Sequence, residues 1–150
     1  GLEVVVGDAR RSLRNLTDDS ADVLIGDAFG SRAVPWHLAT EEFTLDVARV
    51  LRPGGFYALN VIDGADLRFL RAETATIASV FTHVAVVLSE SADTGRLGNS
   101  VIVASDEPFD AVRLDPEVGR LVVEIDEFID GAAVLTDDFA PVDQLLTPAS

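Results

Sequence analysis

The sequence predicts an α/β fold with a mainly parallel sheet and an antiparallel C-terminal hairpin. Short β-branched runs alternate with segments of helical period along most of the chain, the pattern of strand–helix–strand units. The last two strands of this series are separated by a polar loop and no long helix, which suits a hairpin better than a crossover. Of 150 residues, 48% are hydrophobic, enough for one core in one domain, residues 1–150.

The elements follow in order. Leu2–Val6 is a β-branched run ended by Gly7-Asp8 and reads as a buried strand. Ala9–Leu16 can form a short helix with Leu13 and Leu16 on one side, before the turn cluster Thr17–Ser20. Asp22–Gly26 is the second strand, followed by a long loop from Asp27 to about Ala39. Thr40 is a good N-cap, Glu41 and Glu42 suit the positive end of a helix, and Phe43, Val47, Val50 and Leu51 form its apolar stripe. Arg52-Pro53-Gly54-Gly55 stops that helix, and Phe56–Ile62 is the third strand. Leu67, Leu70, Thr74, Ile77, Ala78 and Phe81 recur at helical spacing and lead into a fourth strand, His83–Leu88. Ser89–Gly98 is a polar loop and Asn99–Ala104 the fifth strand. Asp115-Pro116-Glu117 opens a further helix, with Val118, Leu121, Val122, Ile125 and Phe128 as its stripe.

Composition excludes several classes of function. The net charge is -15, from 26 acidic and 11 basic residues, all of the latter Arg. Phosphate contacts need cationic side chains, so nucleic acid is excluded as a partner, and an anionic membrane surface is repelled. No apolar run of about 18 residues exists to span a bilayer. Gly1–Val4 shows no basic-then-apolar leader pattern, and the simplest reading is a cytoplasmic protein. With no Cys and two distant His residues, no metal site is expected. A small cationic ligand, in contrast, would be attracted by this charge.

Ligands in open α/β sheets sit beyond the carboxyl ends of the strands. Two such ends here carry the same triplet, Gly7-Asp8-Ala9 and Gly26-Asp27-Ala28. Glycine admits close approach of a ligand to the backbone, and each Asp can either accept hydrogen bonds from a ligand or cap the segment that follows. Trp36 and His37 lie in the loop after Asp27, where the aromatic ring serves either a pocket wall or packing. Asp137, Asp138 and Asp143 form either part of a cation pocket or a solvated acidic loop.

These stretches resemble the spermidine synthase-like group within the class I S-adenosylmethionine-dependent methyltransferase fold. The resemblance runs through Val4–Arg10, Asp22–Phe29 and the Val50–Gly55 turn. It is most specific in Gly26–Leu38 and in Leu135–Asp143. It implies a Rossmann-like sheet of order 3-2-1-4-5-7-6, in which Leu2–Val6 is strand 3 and the first two strands would precede Leu2. The glycine-rich nucleoside loop belongs to that preceding part, and no Gly-x-Gly-x-Gly occurs here. Strand 3 is then expected to pair directly with Asp22–Gly26, or the open edge to pair with a second copy in a homodimer.

The resemblance also implies roles. Asp8, with the Ala9 backbone beside it, would bind the adenine of decarboxylated S-adenosylmethionine or S-adenosylmethionine. Asp27 would be the catalytic carboxylate that holds and deprotonates a small cationic amine, in aminopropyl transfer of the kind that makes spermidine. Trp36 and Asp138 would line the substrate site. Gly30 stands where many members of the group carry a second Asp, which argues against a simple diamine. Methyl transfer to another acceptor, or a non-catalytic α/β remnant serving assembly, are the alternatives.

Overall fold

A computed structural model describes residues 3–29, 34–110, 119–122 and 124–146. Its elements are α1 (Ala9–Arg14), β1 (Ala21–Gly26), α2 (Glu41–Val50), β2 (Leu51–Asp63), α3 (Arg68–Ala78), β3 (His83–Leu88), α4 (Glu90–Asp93), β4 (Gly98–Ser105), β5 (Arg120–Val122), α5 (Ile125–Ile129) and α6 (Val142–Leu145). They build one five-stranded sheet of order β1-β2-β4-β3-β5.

The first four places of this sheet reproduce the 4-5-7-6 portion of the expected order. The expected antiparallel hairpin is present as β3–β4, and the expectation of a mainly parallel sheet is met only in part. Only β1 and β2 pair in parallel, while β2–β4, β3–β4 and β3–β5 are antiparallel. The reason is the placement of β4: it returns from β3 as a hairpin and inserts between β2 and β3, so strands that run in the same direction are no longer neighbours.

A second correction concerns the N-terminal segment. Glu3–Val6 forms no strand and joins no ladder, with Val4, Val5 and Val6 exposed; Leu2 lies outside the described residues. The chain turns at Gly7 into the capped start of α1, and among the described residues no strand pairs with it. The expected pairing with Asp22–Gly26 is therefore absent, and β1 is an edge strand. An added strand would pair there.

Helix α2 begins as its sequence dictates: the Thr40 side chain accepts from the Phe43 N–H, and Phe43, Val47 and Val50 are buried. The helix passes straight into β2 at Leu51, earlier than Phe56. The Pro53-Gly54-Gly55 stretch is absorbed by a register shift between Ala21 and Val23. Gly54 has φ 75°, in the left-handed region that favours glycine. A Cβ on Gly55 would lie 2.9 Å from the Arg52 carbonyl oxygen and 3.1 Å from that of Asp22, so only glycine admits this approach of β2 to β1.

Residues alternate across the sheet. In the parallel register Leu24 and Gly26 share a face with Tyr57 and Leu59, against which α2 and α3 pack. Val23 and Ile25 share the opposite face with Phe56 and Ala58, and there Val23 is 56% and Ile25 72% exposed. Helix α3 starts after Leu67, which has φ 48° and gives no side-chain cap. Asp63, at the end of β2, supplies the acceptors instead, taking the N–H groups of Gly64 at 2.7 Å and Leu70 at 2.8 Å. Burial pushes this carboxyl above its ordinary range, and those donors oppose the shift.

Two further expectations change. The Ser89–Gly98 loop contains α4, capped by the Ser89 side chain. Leu121 and Val122 belong to strand β5, paired with Val87 and Val86, and among the described residues of this stretch only Ile125–Ile129 is helical. The pairing edge of β3 overrides the helical spacing of those residues. The helix start expected at Asp115–Val118 lies outside the described residues.

Candidate functional site

The carboxyl end of β1 is held against β2 by a glycine. A Cβ on Gly26 would fall 2.7 Å from Leu59 Cδ1 and 3.2 Å from the Tyr57 hydroxyl. One residue beyond the ladder, Asp27 comes level with Asn60, and the Asn60 side-chain amide donates to Asp27 Oδ1 at 2.9 Å. Asp27 is otherwise exposed. It lines a cavity of about 350 Å³ together with Ala9, Gly26, Ala28, Leu38 and Tyr57. Two sequence candidates, Ala9 at the start of α1 and Asp27 beyond the end of β1, thus share one cavity. Its walls are mostly apolar, and burial pushes the Tyr57 hydroxyl far up, so it stays protonated.

Asp8 sits at the N-terminus of α1 and caps it: Oδ1 accepts the Arg11 N–H at 2.7 Å. Its Oδ2 faces His37 Nε2 at 3.7 Å. His37 and Trp36 belong to a single 3-10 turn, Trp36–Leu38, with their rings edge-to-face at 5.7 Å. Trp36 is half exposed and lines a second cavity, about 290 Å³, with Val34, Pro35, Ala140, Pro141 and Val142. Val34 lines both cavities, so they are neighbours. Trp36 and the C-terminal motif, separate in sequence, meet here.

Asp138 is exposed in the turn between Thr136 and Phe139 and lines neither of these cavities. Its neighbour Asp137 is the engaged carboxylate. Both its oxygens accept from Arg10, each at 2.7 Å, and Oδ1 also accepts from the Thr40 hydroxyl at 2.8 Å. The guanidinium holds the Asp137 carboxyl below its ordinary range, and Asp137 raises Arg10 in turn. Among the described residues no group of three or more His, Asp or Glu side chains is placed to hold a metal ion.

Sequence reasoning missed Asn60, Tyr57 and Arg10. Asn60 is the one polar residue inside the apolar run of β2, which is a legible signal, but its partner depends on strand register. Nothing in the sequence links Arg10 to Asp137, 127 positions apart.

The fold recurs in solved structures. The chain aligns with a probable spermidine synthase from Corynebacterium glutamicum at 30% identity and a TM-score of 0.80, over 92% of this chain and 55% of that one. The chain has a class I methyltransferase-like fold. A spermidine synthase in complex with the transition-state analogue AdoDATO matches at 20% identity and a TM-score of 0.62, over 98% of this chain and 48% of that one. Human methyltransferase-like protein 13 in complex with SAH matches at 18% identity and a TM-score of 0.53, over 99% of this chain and 61% of that one. Both of these likenesses concern the fold alone. The chain spans about half the length of the solved spermidine synthases it matches. No family model and no curated protein matches it. Among the described residues no helix is long and apolar enough to cross a membrane.

Proposed function

We propose that this chain carries the reaction centre of a spermidine synthase-like transferase, which moves an aminopropyl group from decarboxylated S-adenosylmethionine to a small cationic amine. The observation that carries this reading is the Asp27 carboxylate, held by Asn60 in a cavity that it shares with Ala9. The cavity fits a nucleoside's chemistry in having mostly apolar walls for a ring and the Asp27 carboxylate at the end of β1, while Asp8 stands outside its lining, next to Ala9. Asp8 and the Ala9 backbone would hold the adenine.

The amine nitrogen attacks the carbon next to the sulfonium. The new N–C bond forms as the C–S bond breaks, and the electron pair leaves with sulfur, giving neutral methylthioadenosine. The proton lost from the amine passes to Asp27, which also orients the nitrogen lone pair in line with the leaving sulfur. The negative field of the chain, net charge -15, raises the local concentration of a cationic acceptor. Methyl transfer from S-adenosylmethionine is the second reading; the fold likeness to the SAH complex favours it. It uses the same displacement at a different carbon.

Calorimetric titration of the chain with methylthioadenosine and with decarboxylated S-adenosylmethionine tests the proposal. A Kd near 10 µM, about -7 kcal/mol, is expected. Asp8→Ala should weaken it, since it removes the proposed adenine acceptor. Tight binding of S-adenosylmethionine with none of its decarboxylated form would favour methyl transfer. No heat with any of these at millimolar ligand would refute a nucleoside site in this chain and favour the non-catalytic assembly module.

A further inference from the structure

We propose that the Arg10–Asp137 pair is a positioning element of this site, fixing the C-terminal turn against α1 and thereby setting the Asp8–His37 contact. The inference rests on the functional reading above for its consequence in binding, though the geometry stands without it. Arg10 is only 8% exposed, and it follows directly on Asp8 and Ala9. Besides its two bonds to Asp137, Nη1 donates to the carbonyl oxygen of His37 at 3.2 Å. One guanidinium thus holds the backbone of the residue whose ring faces Asp8, and the carboxylate of a turn 127 positions away.

The turn is fixed from its other side as well. Asp137 N–H donates to Glu42 Oε2 at 2.9 Å, Glu41 N–H to the Leu135 carbonyl at 2.8 Å, and Leu135 N–H to the Thr76 hydroxyl at 2.8 Å. Thr136 and Phe139 close it with reciprocal backbone bonds of 3.0 Å. The segment that follows, Ala140–Val142, lines the same cavity as Trp36. The pair therefore determines where two walls of the site stand.

Stability alone is a poor reason for such a pair. Desolvating a guanidinium is costly, and apolar residues of similar volume often stabilise as much or more. The Nε of Arg10 is buried with no hydrogen-bond partner, a cost that packing would avoid. What an Arg–carboxylate fork supplies is a fixed planar geometry. Arg49 offers the contrast. It also joins the α1 region to α2, through the Leu13 and Leu16 carbonyls, Asp18 and Asp46, but touches neither Asp8 nor the 136–139 turn.

The test compares Asp137→Asn, Arg10→Lys and Arg49→Gln at a temperature where each is folded. Two readouts are taken: the NMR resonances of the His37 imidazole and the Asp8 carboxylate without ligand, and the affinity for methylthioadenosine. Asp137→Asn should move both resonances and lower affinity about tenfold, and Arg10→Lys should do the same to a smaller degree. Arg49→Gln should leave both unchanged while lowering the melting temperature. Resonances unmoved in a folded Asp137→Asn chain overturn the proposal, as does equal movement in Arg49→Gln. If Asp137→Asn does not fold, Arg10→Lys decides by the same criteria. If the unaltered chain binds no methylthioadenosine, the functional reading fails, and the resonances alone decide the positioning role.

Discussion

Replacing Glu73 by Gln is expected to stabilise the chain at pH 7 by roughly 1–3 kcal/mol, the cost of keeping a buried carboxyl neutral where the unfolded chain ionises it, at about 1.4 kcal/mol per pH unit. Glu73 lies on the inward side of α3, 1% exposed, among Phe69, Leu70, Ala72 and Ile77. Its Oε2 is buried with no hydrogen-bond partner. Burial pushes its carboxyl well above the ordinary value of 4.5, so the folded chain carries it neutral over a range where the unfolded chain ionises it. The folded state then binds more protons than the unfolded state, and stability falls as pH rises through that range. The Glu73 contribution is therefore fully present below the ordinary carboxyl range and lost above it. Gln is nearly isosteric and cannot ionise, so its variant lacks this slope. Urea unfolding at a series of pH values should show the two proteins converging near pH 4 and separating towards pH 7. The corresponding rise in Tm at neutral pH is about 2–4 °C per kcal/mol for a chain of this size. Asp63, raised, adds a slope of the same sign, and Asp137, lowered, one of opposite sign below the ordinary carboxyl range. Both are present in both proteins and cancel in the difference. A difference that does not change with pH would show that Glu73 is already ionised or already partnered in the fold.

The local signals were legible in the sequence, and the long-range ones were not. Thr40 with Glu41 and Glu42 announces α2, and the boundaries of β3 coincide with the β-branched run His83–Leu88. Position in the sequence places Asp27 just beyond the end of a strand and Trp36 in the segment that follows, as the structure has them. Leu2–Val6 misled because a β-branched run specifies a strand only where a ladder exists to receive it. Leu121 and Val122 misled because four-residue spacing suits a helix as well as it suits a three-residue strand followed by a short helix. The parallel pairing is met only in part because strand order is set by tertiary packing. Local pattern cannot say that β4 lies between β2 and β3. The same limit hid the site's second layer. Asn60 reaches Asp27 through sheet register, and Arg10 reaches Asp137 only when both ends of the chain converge on α2. Glu73 was hidden differently: a lone acid in a helical segment reads as solvated, and its place on the inward side shows only once the other seven buried residues of α3 fix which side faces the sheet.

Asp27→Asn is expected to lower aminopropyl transfer by about 10²–10⁴-fold, the usual contribution of a general base, while methylthioadenosine affinity stays within about threefold. The amide keeps the shape of the side chain and can still bond to Asn60 after rotation, so the cavity should survive. What it loses is an acceptor for the proton that leaves the attacking amine. Asn60→Leu separates holding from reacting. It leaves the carboxylate but removes the 2.9 Å donor that fixes one of its oxygens, and kcat should fall by about tenfold with little change in KM. The double variant should be no slower than Asp27→Asn alone, because positioning has no value once the group positioned cannot accept a proton. Steady-state rates of the three variants with decarboxylated S-adenosylmethionine and a panel of amines would measure this. Turnover of Asp27→Asn within tenfold of the unaltered chain would remove Asp27 from the proton path. An additive double variant would instead give Asn60 a contact of its own with the amine. The geometry favours the coupled outcome. A single donor on Oδ1 leaves the second carboxylate oxygen open on the exposed side, where an incoming amine can place one N–H on it and direct its lone pair towards the cavity that Asp27 shares with Ala9.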